Sequence, residues 1–395
     1  MNNGKERSAS KGSARKLLDF LLIFLIFIIP LSRAGMNIVS GLILVLWLWL
    51  VFSKQLKKEV LELQRVFIIA GFILLLPLIN SIDLKLALRT YISTFIKYSI
   101  VFLAGIEVID TNENFKKVIM SFMASSIIVI LYSFYSHFIL KESRRLMGVF
   151  NNPNSAGAFI LILATLSTGA ILFAKKKVII YTGFVFFFMS ITLLIYTYSR
   201  GAWLGYLSAI TIFLFLFFKK WDILSRKGIA ILFLLLLLLI FIMPGDFVER
   251  FRSIDDFQSG SIQQRLMQYR SSWEIIKDHP LVGIGWGQFP LRFQEYKSDK
   301  AKIFDHVHNL YIHFVAETGI IGLLSVLYIF YRVLVKKFLA TARKSRLIYV
   351  FAGVFIASAV HNIFDVTFLY SQIGLILILI AAIWYNFIEG DINQL

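Results

Sequence analysis

The chain has no cysteine. Disulfides, thiolate metal sites and a cysteine nucleophile are therefore excluded. Acidic residues are scarce too: 23 Asp and Glu stand against 41 Lys and Arg, a formal net charge of +18. In a soluble protein that balance would suggest nucleic acid. Here most of the cations sit in short gaps between apolar runs, where membrane orientation puts them, and no nucleic-acid partner is expected. No cleavable leader is expected. Residues 1–16 are polar and basic (Lys5, Arg7, Lys11, Arg15, Lys16) and lead into an apolar run from Leu17. Pro30, Ser32 and Arg33 follow that run instead of a small-residue cleavage site, so it reads as an uncleaved span. No internal repeat is evident, and the glycines belong to no nucleotide-binding βαβ unit.

What is abundant is apolar sequence: 58% of the 395 residues, 39 of them Phe. Runs able to cross a bilayer fall at about 17–34, 36–52, 66–80, 91–108, 117–140, 156–174, 178–196, 202–218, 228–244, 309–334, 347–364 and 366–389. The expected fold is an all-α polytopic membrane protein of about twelve transmembrane helices. Residues 1–16 are expected to be a disordered basic tail, 17–140 a first group of spans, 141–389 the main functional region, and 390–395 a short tail. With the N-terminus in the cytoplasm, every basic short loop falls inside: 53–65, 109–117, 175–177, 219–227 and 335–346. The positive-inside bias thus predicts cytoplasmic termini.

The outer face then receives Arg33, 81–90, 141–155, 198–201, His361-Asn362 and a polar loop over about 245–308. Loops longer than about 12–15 residues usually have a task. Within this one, Ile262, Leu266, Tyr269, Trp273 and Ile276 recur at helical spacing, flanked by Arg265, Arg270 and Lys277. That is the pattern of an interfacial amphipathic helix. Gly283, Gly285 and Gly287 permit a tight backbone path, and Asp305-His306-Val307-His308-Asn309 closes the loop. His306, His308 and His313 could be read as a metal site, although no full ligand set accompanies them. Arg144, Arg145 and Arg200 stand on the side that orientation does not require, and a guanidinium is a fork shaped for phosphate. Lys97 is the main ionisable residue inside a span.

At these residues the chain resembles the O-antigen ligase and O-antigen polymerase family of membrane glycosyltransferases. His308-Asn309, nine residues, then Gly319-Ile320-Ile321-Gly322 is similar to the family's ligase-type pattern. Ser199-Arg200-Gly201-Ala202-Trp203 looks like the Ser-Arg-Gly segment that opens its common region. Arg145-Leu146-Met147-Gly148 with Asn152-Pro153-Asn154 resembles an upstream segment, and Arg265, fifteen residues before Pro280, its long-loop arginine. Tyr269 departs from the tryptophan of many relatives. The resemblance covers roughly residues 140–365.

The resemblance implies transfer of a glycan from undecaprenyl diphosphate to an acceptor on the outer side of the cytoplasmic membrane. The acceptor would be a lipid A core sugar in a ligase, another lipid-linked unit in a polymerase, or another surface acceptor. No cofactor, metal or nucleotide is expected. His308 is the expected general base, Arg145, Arg200 and Arg265 the diphosphate ligands, and Asn309, His361 and Asp365 supporting residues. Asp305, Glu317 and Asp365 are the carboxylates a double displacement would call on. Gly319 and Gly322 read as a close helix contact. The rival from another class is a flippase or transporter of lipid-linked oligosaccharide.

Overall fold

A computed structural model describes residues 2–218, 260–296, 305–336, 339 and 347–389. The described residues are helical with no strand. In chain order the α-helices are α1 (Asn2–Ile28), α2 (Arg33–Phe52), α3 (Lys58–Ile73), α4 (Leu84–Tyr91), α5 (Lys97–Val108), α6 (Asn112–Phe134) and α7 (Pro153–Phe173). They continue with α8 (Lys177–Tyr196), α9 (Arg200–Phe218), α10 (Gly260–Asp278), α11 (Phe289–Tyr296), α12 (Leu310–Phe330), α13 (Leu347–His361) and α14 (Ser371–Glu389). A π turn at Ile92–Ile96 joins α4 to α5.

Among the described residues, seven helical stretches are long and apolar enough to cross a membrane: Arg33–Phe52, Lys58–Asn80, Leu84–Val108, Asn112–Ile139, Pro153–Phe173, Lys177–Tyr196 and Leu310–Val335. Shorter apolar helices lie at Arg200–Phe215, Ile348–His361 and Ser371–Asn386. This is a multi-pass membrane protein. The expected span at 228–244 and the C-terminal tail 390–395 lie outside the described residues. The segment expected to be a disordered tail is instead taken into α1, which starts at Asn2. Extending an existing helix through Ser, Ala, Arg and Lys needs no new nucleus.

Helix α7 is the centre of the bundle, with 89% of its span window buried. It packs against α8, α9 and α13, while α1 packs on α2 and α6, and α5 on α2 and α14. Outward-facing Ile38, Phe72, Met120, Tyr181 and Leu324 leave an apolar exterior, as a bilayer requires. Polar contacts collect at the two ends. At one, Arg15 and Lys57 meet Glu107 and Asp110, and the Asn386 amide donates to the Ile106 and Ile109 carbonyls at 2.8 and 2.9 Å. The other end carries the loops that follow α1, α6, α8 and α13 and the described part of 245–308.

That segment is tied down by a broken helix. Inside α12, Gly319 has φ 66° and ψ −174°, which interrupts the helical ladder. The chain at 280–285 fills the gap: Pro280 and Leu281 carbonyls accept from Ile320 and Ile321 at 2.9 and 3.1 Å, and Ile284 and Gly285 donate to Ala316 and Glu317 at 3.0 and 2.9 Å. A Cβ on Gly319 would collide with the Leu281 carbonyl, so only glycine serves there. Trp286 Nε1 donates to the Leu74 carbonyl at 2.8 Å, and Gln288 pairs with the Asp83 backbone. The expected reading of Gly319 and Gly322 as a plain helix contact is thereby corrected. Gly319 is a helix break in which a second strand of backbone is docked.

Helix α10 splits its apolar stripe: Leu266 and Trp273 are exposed, Tyr269 and Ile276 pack partly inward, and Gln268, Ser271, Ser272 and Ile275 are buried. The buried polar groups are satisfied locally, Ser271 on the Tyr296 carbonyl and Ser272 on the Gln268 carbonyl. Burial is cheap for groups so paired.

Candidate active site

The site is built around Asp365. Helix α13 stops at His361, where the Asn362 side chain donates to the Ser358 carbonyl at 2.8 Å and accepts from Phe368 N and Thr367 Oγ1. This local competition with the helix turns the chain out. It presents Asp365, 2% exposed, from an irregular turn. His361 and Asp365 are therefore not one helical turn apart on a helix, as their spacing suggested. His361 is buried against Gly201, where a Cβ would meet its ring at 2.9 Å.

A buried carboxylate must be paired or hydrogen-bonded. One oxygen of Asp365 accepts from the Asn154 amide in a very short contact. The other accepts from Val366 N at 2.7 Å and faces His306 Nε2 at 3.9 Å and His308 Nδ1 at 4.0 Å. Among the described residues, the basic groups within 4.0 Å of it are these two imidazoles.

Each neighbour is placed by its own segment. The Asn-Pro-Asn turn works because Asn152 caps α7, its side chain accepting from Asn154 N and Ser155 N, with Pro153 at the first helical position. Asn154 then projects from the first turn between Asp365 and Arg145. Arg145 donates from Nη2 to Asn154 Oδ1 at 3.0 Å and from Nε to the Thr197 carbonyl at 3.1 Å. Leu146 N also donates to the Tyr196 carbonyl at 2.8 Å, so the loop after α6 is stitched to the loop after α8. Arg200 begins α9 at that stitch, beside Gly201 and His361.

On the other side, Asn309 caps α12, accepting from Tyr311 N and Ile312 N at 3.0 Å each. Leu310 N donates to the Asn362 and Asp365 carbonyls, which fixes the entry of α12 against the Asp365 turn. Helix α10 supplies a second hold: Tyr269 Oη donates to the His308 carbonyl at 3.1 Å, and Gln268 Oε1 accepts from His308 N at 3.4 Å. Arg265, one turn before Tyr269, acts electrostatically on both Tyr269 and His308.

Burial is the largest influence on both histidines and holds each imidazole below its ordinary range. For His308 the Asp365 carboxylate works the other way, while His306 and Arg265 add to the depression. His308 is thus neutral near pH 7, the form that can accept a proton.

The structure brings together His308, Asp365, Asn309 and Arg265, and links Arg145 to them through Asn154. It sets His361 beneath the start of α9. Asn309 spends its carbonyl oxygen on the helix cap, directly after His308. Glu317 is taken out of reach. It is 4% exposed, accepts from Phe289 N at 3.3 Å and faces His313 Nε2 at 3.6 Å, all within the docked segment. His313 accordingly turns away from the metal reading. A different trio, His306, His308 and Asp365, brings one ligand atom each within 4.8 Å of the others, a spacing that a divalent cation could bridge.

From the sequence, His306 reads only as a possible metal ligand and Asn154 only as part of a turn motif, and Thr197 is not singled out. The Asn-Pro-Asn turn was the available signal for Asn154. Nothing local marks a backbone carbonyl such as that of Thr197 as an arginine anchor.

No curated protein matches the chain. The sequence profile of one family, described as O-antigen ligase, matches residues 184–327. That stretch contains Arg200, Arg265, His308, Asn309 and the broken helix at Gly319, and leaves Arg145, His361 and Asp365 on either side of it. Through that region the chain is similar to the O-antigen ligase family.

Proposed function

We propose that the chain is a glycosyltransferase that moves a glycan from undecaprenyl diphosphate to an acceptor hydroxyl at the outer face of the cytoplasmic membrane. The observation that carries this reading is the convergence of His308, Asp365, Asn154 and Arg145, with Arg200 and Arg265 beside them, at one end of an apolar bundle. A lipid-borne donor keeps its chain in the bilayer and its diphosphate at the helix ends, which is where these cations collect.

The donor already carries its leaving group, so no nucleotide is needed. The acceptor oxygen attacks the anomeric carbon. Its proton passes to His308, and the bond to the diphosphate breaks with its electron pair leaving on undecaprenyl diphosphate. Nδ1 of His308 lies on the Asp365 side, which leaves Nε2 to take the proton and Asp365 to stabilise the imidazolium that forms. Arg200 and Arg265 stabilise the charge developing on the diphosphate, assisted by the cationic charge of Arg145. One direct displacement inverts the anomeric centre. The arginines supply the cationic charge, and the reaction is read as independent of metal.

Reconstitution with an undecaprenyl-diphosphate-linked oligosaccharide, without nucleotide and with a chelator, tests this. Released undecaprenyl diphosphate with a new conjugate on a phosphorylated core glycolipid or other acceptor is the expected result. Release with a longer lipid-linked glycan identifies a polymerase. Movement of the lipid across the bilayer without transfer identifies a flippase and ends the proposal.

A further inference from the structure

Two cations stand outside that chemistry. Lys97 opens α5 directly after the π turn, a local underwinding that re-aims side chains and recurs at functional sites. Its Nζ donates to Ser371 Oγ at 3.0 Å and to Asn37 Oδ1 at 3.4 Å. Arg33, the first residue of α2, donates from Nε to Gln372 Oε1 at 3.2 Å and from Nη2 to the Phe150 carbonyl at 3.3 Å. Ser371 and Gln372 are the first two residues of α14. Two cations from different helices therefore arrive at one helix N-terminus, itself the positive end of a macrodipole.

All four of these partners are neutral, and among the described residues neither cation makes an ion pair. A lysine within a span with no acid to pair with is costly, and such residues mark substrate paths. Carboxylates enter only one residue away, where Asp365 and Asp305 act on Tyr370 together with Arg33. Tyr370 Oη lies 3.5 Å from His306 Nε2. The pair is thus reached from Asp365 through His306 and Tyr370, whereas Arg145 and Arg265 are reached through Asn154 and His308.

We propose that Arg33, Lys97 and the first turn of α14 hold the phosphate of a second membrane-borne lipid, the acceptor. This rests on the reading of the chain as a transferase of lipid-linked glycans. Two lipid substrates with similar anionic heads would compete for a single cationic site. Two sites that reach the His–Asp cluster through different residues bring donor and acceptor to the same base.

The purified full-length protein is titrated with polyprenyl diphosphate alone, and bound lipids are counted by native mass spectrometry against phosphatidylglycerol as competitor. Wild type is expected to bind two. In Lys97→Met and in Arg33→Gln one is retained, and the second weakens by about tenfold or more. Lys97→Arg keeps both. A single lipid on wild type overturns the proposal, as does unchanged binding in both variants or loss of the second lipid to phosphatidylglycerol at equal concentration. In the transfer assay the same variants raise KM for a phosphorylated lipid acceptor and leave donor KM unchanged. A neutral soluble glycan acceptor shows no difference. Comparing polyprenyl-diphosphate-linked glycan with a phosphorylated glycolipid identifies the acceptor class by which one shows the effect. A deficit that falls on the donor overturns the assignment. A wild type that transfers nothing ends the transferase reading, while the lipid count still decides the second site.

Discussion

At the scale of the residue, the chemistry rests on His308 being neutral and aimed. His308→Ala is expected to lower glycan transfer by about a hundredfold or more, the usual worth of a positioned base, with donor binding retained. The pH profile carries the sign of the environment. Burial puts the folded pKa below the ordinary value of about 6.5, so the base stays neutral as pH falls to that value. The rate should be flat from pH 8 to about 6.5 and fall only below it. Asp365 raises the His308 pKa, so Asp365→Asn should move the acid limb lower still while kcat drops. A limb that moves upward would remove the His308–Asp365 link. Arg200→Lys separates charge from shape. It keeps the cation and loses the bidentate fork, and a diphosphate site that uses the fork should lose about tenfold or more in kcat/KM. His308 and the arginines could be read from the sequence because a charged or titratable residue beside a span has few structural excuses. The pairing of Asn154 and His306 with Asp365 could not, since that partner lies more than fifty residues away in the chain.

At the scale of the element, the most telling departure from the sequence pattern is the break at Gly319. Two glycines three residues apart in an apolar run read equally well as a helix contact, and only the loop that docks there decides between them. The docking is long-range: residues 280–285 replace the ladder of α12, and Glu317 closes the contact from below. Gly319→Ala would force an alanine into a left-handed φ and into the Leu281 carbonyl, and should destabilise by at least about 2 kcal/mol. Thermal unfolding in detergent measures the cost. Limited proteolysis within 260–296 should accelerate in parallel, because the break is what anchors that segment. If the thermal midpoint is lowered and cleavage is unchanged, the docked backbone is not the anchor. Helix α10 teaches the same point from another side. Its apolar stripe was legible, but its direction was not, because membrane and core accept the same side chains. The polar face, Gln268 and Ser272, is what went inward, and it brought Tyr269 and Arg265 to His308.

At the scale of the whole molecule, the remaining question is which end of the bundle faces out. The distribution of charge gives one answer: Lys54 and Lys57 lie in the loop between α2 and α3, with Lys58 and Arg65 in the first half of α3, and Lys57 meets Glu107 and Asp110 at the end away from the His–Asp cluster. By the positive-inside bias that end is expected in the cytoplasm. The site's own arginines oppose the bias, which is expected of residues kept for a ligand and not for orientation. The absence of cysteine makes the test direct, because a single introduced thiol is the whole signal. Trp273 on α10 and Glu59 near the start of α3 are both exposed, at opposite ends. In intact cells with a permeable outer layer, a membrane-impermeant maleimide should label Trp273→Cys. Glu59→Cys should be labelled only after lysis. The reverse pattern would put the His–Asp cluster in the cytoplasm, where lipid-linked glycans are assembled before they cross. The reaction would then have to be reconsidered together with the orientation, since an acceptor at the cell surface could no longer reach His308.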